Sequence, residues 1–84
     1  MNISQEGIDV TKRFFEAIEM LKAQKVIRGL QTFTNSYDIN RWNMNTVKKQ
    51  PEKSVLKPEW MVYIVRDFNI SAEWLLLGKG SMFR

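Results

Sequence analysis

The sequence predicts an all-α domain of five helices, on three observations. Leu30, Phe33 and Tyr37 share one helical face, and Met44 and Val47 resume one after a break at Asp38. Phe14, Ile18 and Leu21 mark a longer helix upstream. Pro51, Pro58 and Gly78 punctuate the rest where helices start and stop. The first helix is expected from about Val10 to Lys25, with Phe15 beside its apolar stripe and Asp9 or Thr11 as its cap. The second covers about Arg28 to Tyr37. The third starts behind Asn40, a natural N-cap, and ends by Gln50, because Pro51 disfavours helix in the residue before it. Residues 51–57 read as a polar loop. Pro58 suits a first helical position, and Trp60, Met61, Ile64, Val65 and Phe68 form a broad apolar face behind it. Ser71 caps the fifth helix, Leu75 to Leu77 close it, and Gly78 stops it. Phe14, Phe15, Phe33, Trp60, Phe68 and Trp74 are the expected aromatic core. No strand is expected.

Composition narrows the function classes. At 84 residues the chain is expected to be one domain, residues 1–84. It has no cysteine, so disulfides, thiolate zinc sites and thiol nucleophiles are excluded. It has no histidine, which removes the commonest general base and metal ligand. Asp38, Glu52 and Asp67 form no recognisable carboxylate pair, so the expectation is no enzyme, with no catalytic residues, metal or cofactor. Gly78 and Gly80 flank a lysine, but no strand precedes them and no helix follows, which argues against a phosphate loop. The longest wholly apolar run, Trp60 to Val65, is too short to span a bilayer, and residues 1–10 hold no apolar leader segment. The expectation is a cytoplasmic protein without a membrane partner.

Charge is placed unevenly. Between Lys22 and Lys57 stand Lys22, Lys25, Arg28, Arg41, Lys48, Lys49, Lys53 and Lys57 against Asp38 and Glu52, a local balance of +6 in a chain of +4 overall. The remainder is mildly acidic. A solvated lysine-rich surface would read the same way, yet this asymmetry is the footprint expected of a polyanion binder. The basic stretch contains the second and third helices, about residues 28–50, and flanks them on both sides. Two short amphipathic helices joined by a tight turn are the sequence form of a helix-turn-helix, which commonly places its second helix in a DNA major groove.

The spacing Phe33–Tyr37–Ile39–Met44–Val47 resembles the helix-turn-helix of the lambda-repressor-like (XRE/Cro-type) family of phage and bacterial regulators. The run Ile70-Ser71-Ala72-Glu73-Trp74-Leu75-Leu76-Leu77-Gly78-Lys79-Gly80 is similar to the last helix and exit of that family's repressors. Together they span roughly residues 10 to 82, and the whole resembles small phage or mobile-element regulators of Bacteroides-like bacteria. Three positions depart from the pattern. Asp38 stands at the turn where the family usually has glycine, Thr34 where it prefers alanine, and Leu30 where a phosphate-touching glutamine often sits. Aspartate tolerates a left-handed backbone better than most residues, so the turn survives. The glutamine contact is not carried over.

The resemblance implies a lambda-repressor-like domain whose third helix, about residues 40–50, faces double-stranded DNA. Its exposed positions are then Asn40, Arg41, Trp42, Asn45, Thr46 and Lys49. Arg41 can fork onto guanine and Asn45 onto adenine, and Thr46 offers a hydroxyl and a methyl. Trp42 either packs on base or sugar edges or folds back over Ile39 and the second helix. Asn40 and Lys49 at the helix ends, with Arg28, Lys48 and Lys53 flanking the motif, are phosphate candidates. The expected function is a sequence-specific, repressor-like transcriptional regulator. A protein-interaction module, antitoxin-like or a phage adaptor, is the alternative; an apolar or acidic third-helix face would have favoured it. A weak dimer, or a monomer that pairs on its operator, is expected to use the fourth and fifth helices with Met82 and Phe83.

Overall fold

The first helix starts on a cap, ahead of the apolar period. In the computed structural model, which describes residues 3–84, the Ser4 hydroxyl accepts the Gly7 N–H at 3.1 Å and opens α1 (Gln5–Ala23). The start expected near Val10 is therefore corrected, and so is the Asp9 or Thr11 cap. Asp9 instead accepts from the Gln5 amide at 2.9 Å, and Thr11 is buried with its hydroxyl donating to the Gly7 carbonyl. The first two turns carry mostly non-hydrophobic residues, with only Ile8 and Val10 apolar, so hydropathy alone does not reveal them.

Lys25, in the left-handed region at φ 63°, turns the chain out of α1 and lets Ile27 reach the core. Next come α2 (Leu30–Ser36) and α3 (Arg41–Lys49). The Thr32 hydroxyl accepts the Arg28 N–H at 3.2 Å ahead of α2. Thr34, almost fully buried, satisfies its hydroxyl by donating to the Gln31 carbonyl at 3.0 Å. A threonine in this packed position therefore leaves no orphaned polar atom. Between the helices Asp38 takes φ 52°, and the Ile39 N–H returns to the Thr34 carbonyl at 2.9 Å. The Asn40 side chain then accepts the Asn43 N–H at 3.1 Å and caps α3.

Pro58 occupies the opening of α4 (Pro58–Phe68), which ends at Asn69 in a left-handed conformation, φ 62°. Ser71 caps α5 (Ala72–Leu77) through the Trp74 N–H, and Gly78 closes it at φ 70°. Arg13 of α1 reaches that end, donating from Nε to the Leu75 carbonyl at 2.8 Å and from Nη2 to the Leu76 carbonyl at 3.1 Å. The chain then folds back. Ile70 and Phe83 form an isolated antiparallel bridge, with Ser71 N–H on the Met82 carbonyl at 2.7 Å and Arg84 N–H on the Asn69 carbonyl at 3.0 Å.

All five helices feed one apolar cluster. Phe14, Ala17, Ile18 and Leu21 meet Phe33, Met44, Val47, Trp60, Ile64 and Leu75, with Ile27, Leu56 and Ile70 from the connections. The Phe33 ring stands edge-on to Phe14 at 5.7 Å and tilts against Tyr37 and Phe68. Two expected core aromatics sit at its border instead: Phe68 and Trp74 are half-buried, and Leu75 takes the enclosed position of α5. Among the described residues no helix is long and apolar enough to cross a membrane.

Candidate nucleic-acid interface

The nine residues of α3 divide cleanly by face. Met44 and Val47 are buried against α1 and α2, which fixes the rotation of the helix. Arg41, Trp42, Asn43, Lys48, Lys49 and the following Gln50 are exposed, while Asn45 and Thr46 are partly so. Trp42, Asn45, Thr46, Lys49 and Gln50 line one open cleft of about 450 Å3. Base-reading candidates Trp42, Asn45 and Thr46 are thus brought together with Lys49, and Arg41 lies at the entry of the same helix.

Of the two placements open for Trp42 in the sequence, the structure bears only on the folded-back one. The ring is 76% exposed and does not fold over Ile39 or α2. Thr46 donates its hydroxyl to the Trp42 carbonyl at 2.9 Å, one turn back. That bond takes the hydroxyl proton, so the γ-methyl and the oxygen lone pairs remain to meet a ligand. The Asn40 side-chain oxygen is committed to the cap, which leaves its NH2 as a donor.

The flanking cations are arranged differently from one another. Lys48 points toward α1 and forms an ion pair with Glu19 at 3.9 Å. The other side-chain ion pair among the described residues joins Arg66 to Asp67, so Arg28, Arg41, Lys49 and Lys53 have no carboxylate within ion-pairing distance there. Arg28 borders a second, polar groove of about 320 Å3 with Gly29, Gln31, Thr32 and Asn35. Gln31 and Asn35 were not singled out in the sequence. The available signal was their spacing, four residues apart on the polar side of α2.

The turn that aims α3 is braced from α4. Tyr37 lies flat on Tyr63, ring centroids 4.2 Å apart and 2° from parallel, and its hydroxyl donates to Asp67 at 2.6 Å. Arg66 grips the same carboxylate from Nε and Nη2, each at 2.9 Å. Desolvation first, then the bond to Asp67, pushes the Tyr37 phenol up to about 12. The Arg66 guanidinium first, then Tyr37, holds Asp67 down to about 2.

No family model matches this chain, and no curated protein or solved structure does either. Among the described residues no group of three or more acidic side chains is gathered for a metal ion.

Proposed function

We propose that this protein is a sequence-specific DNA-binding regulator of the lambda-repressor-like type, with α2 and α3 as its helix-turn-helix and α3 in the major groove. One observation carries the reading. A tryptophan exposed at 76% shares a face of α3 with amide and cationic side chains, while the opposite face is locked into the core. Tryptophan, apolar in body and polar at its N–H, is enriched where proteins meet their partners. Arg41 and Asn45 have the donor and acceptor geometry to read base edges, and Lys49, Arg28 and Lys53 can neutralise phosphates. Repression by occupancy is the proposed mechanism, and phage or mobile-element regulation the proposed setting.

A second reading, a protein-interaction module on the same fold, draws on a different surface. Val62 and Leu76 border an apolar groove of about 270 Å3 between α4 and α5, and Leu77 is exposed nearby. Weak self-association or pairing on an operator belongs with this face. Met82 and Phe83, expected to take part, are half-buried in the return of the C-terminal segment onto the α4–α5 connection.

Selection of bound duplexes from a random pool, at stated salt, tests the proposal. Enrichment of a motif, lost in Arg41→Ala and Asn45→Ala, is the expected result. Truncating either should cost about 1–3 kcal/mol on the preferred site and relax selectivity at one or two base pairs. No enrichment would overturn the DNA reading in favour of the interaction module.

A further inference from the structure

Trp42 is the most exposed large apolar side chain among the described residues, and its indole lines a cleft whose other walls are the polar Asn45, Thr46, Lys49 and Gln50. Thr46 lies one turn further on and lines the same cleft. Its hydroxyl is tied back to the Trp42 carbonyl at 2.9 Å. The two residues therefore bring an indole and a γ-methyl to one cleft, while Asn45, Lys49 and Gln50 supply its polar groups. No acidic residue occurs between Arg41 and Lys49, so nothing on α3 repels a phosphate-bearing ligand.

We infer that the Trp42–Thr46 cleft receives the C5-methyl group of a pyrimidine in the major groove, the thymine methyl in ordinary DNA. The inference rests on the DNA-binding reading above and adds the base feature that the apolar part of the site selects. Thymine is the unmodified base that carries an apolar group in the major groove, beside its O4 acceptor. An indole and a methyl cannot choose between donors and acceptors, but they discriminate a methyl from bare ring edge by burial. Asn45 and Arg41 then read neighbouring base pairs through hydrogen bonds. 5-Methylcytosine presents the same methyl beside a donor instead of an acceptor. It separates methyl recognition from thymine recognition.

The test uses the full chain and the duplex recovered from a random pool. Each thymine of that site is replaced, one at a time, by uracil, which keeps every hydrogen-bonding atom and removes only the methyl. At one position or two adjacent ones, affinity should fall by about three- to fivefold, the equivalent of losing one buried methyl. Trp42→Ala should weaken binding to the thymine duplex and erase the difference between thymine and uracil there. Thr46→Ser, which keeps the hydroxyl and removes the methyl, should shrink that difference, whereas Thr46→Val should preserve it. Replacing the sensitive thymine–adenine pair by cytosine–guanine, with and without a 5-methyl, shows whether the methyl alone restores part of the affinity; restoration supports the cleft. Because Trp42 is exposed, its removal should leave thermal unfolding unchanged, so loss of discrimination cannot be loss of fold. Specific binding that is indifferent to uracil at every position overturns this inference and leaves the DNA reading intact. So does a Trp42→Ala variant that still discriminates. Absence of any specific binding overturns both.

Discussion

The Tyr37 hydroxyl donates a 2.6 Å hydrogen bond to Asp67, joining the end of α2 to α4 across thirty residues of chain. Because Tyr37 immediately precedes Asp38, this bond braces the turn that orients α3. Its pH dependence has two limbs. Asp67 is held down to about 2, so its contribution is full above the ordinary carboxylate range and fades as pH falls from about 4 toward 2. Tyr37 is pushed up to about 12, so folding is favoured relative to the unfolded chain until pH rises from about 10 toward 12. Ultraviolet titration should find one phenol ionising near 12, and Tyr37→Phe should remove that step and flatten the alkaline limb of stability. A Tyr37→Phe variant with an unchanged alkaline limb would mean that the bond does not persist in solution.

Asp38 occupies the left-handed region at φ 52°, where glycine is at ease and branched residues are not. Asp38→Gly should raise stability by up to about 1 kcal/mol, relief of left-handed strain being partly offset by the greater freedom of unfolded glycine. Asp38→Val should lower it by about 1–2 kcal/mol. Urea melts of the pair measure both. A loss on Asp38→Gly would assign the carboxylate a structural role of its own.

Leu75, fully enclosed, and Trp74, half-buried, are adjacent on α5, and their truncations should rank against their size. Leu75→Ala should cost about 2–5 kcal/mol through transfer and cavity terms. Trp74→Ala should cost less, about 1–2 kcal/mol, because water already reaches part of the ring. Equal losses in denaturant melts would contradict the difference in burial.

Among the described residues Lys49 and Lys53 have no ion-pair partner, whereas Lys48 faces Glu19 at 3.9 Å. If about four to six phosphates are neutralised, the log–log salt slope of DNA binding should be roughly −4 to −5. Lys49→Ala and Lys53→Ala should each reduce it by roughly one and weaken all sequences alike. Lys48→Ala should move the slope less, since Glu19 already offsets its charge. Titrations at several salt concentrations rank the three, and a larger effect at Lys48 would show that its ion pair opens on DNA.

Fluorescence separates the three tryptophans. Trp60 is buried, Trp74 half-buried and Trp42 in water, so iodide should quench chiefly the Trp42 emission. Saturating specific duplex should protect that fraction, and Trp42→Ala should abolish it. Unchanged quenching on the bound duplex would place Trp42 outside the interface.

What the sequence determined by itself was local. The caps at Asn40 and Ser71, the break at Asp38, Pro58 opening α4 and Gly78 closing α5 act within a few residues, and their backbone preferences are intrinsic. The spacing of Met44 and Val47 was enough to assign the inner face of α3, because a helix has one period and the core takes its apolar stripe. Ser4 belonged to the same legible class, yet the mainly polar first turns of α1 concealed the start behind it. Tertiary structure decided what depends on neighbours distant in sequence. Trp42 and Trp60 are the same residue type in helical segments, and only the packing around them leaves one ring in water and encloses the other. Lys48 resembled Lys49 until α1 brought Glu19 beside it. Arg13 gains a structural bond only because the fold brings it to the Leu75 carbonyl near the end of α5, sixty-two residues away. Such contacts follow from the arrangement of several helices at once, and no local pattern encodes them.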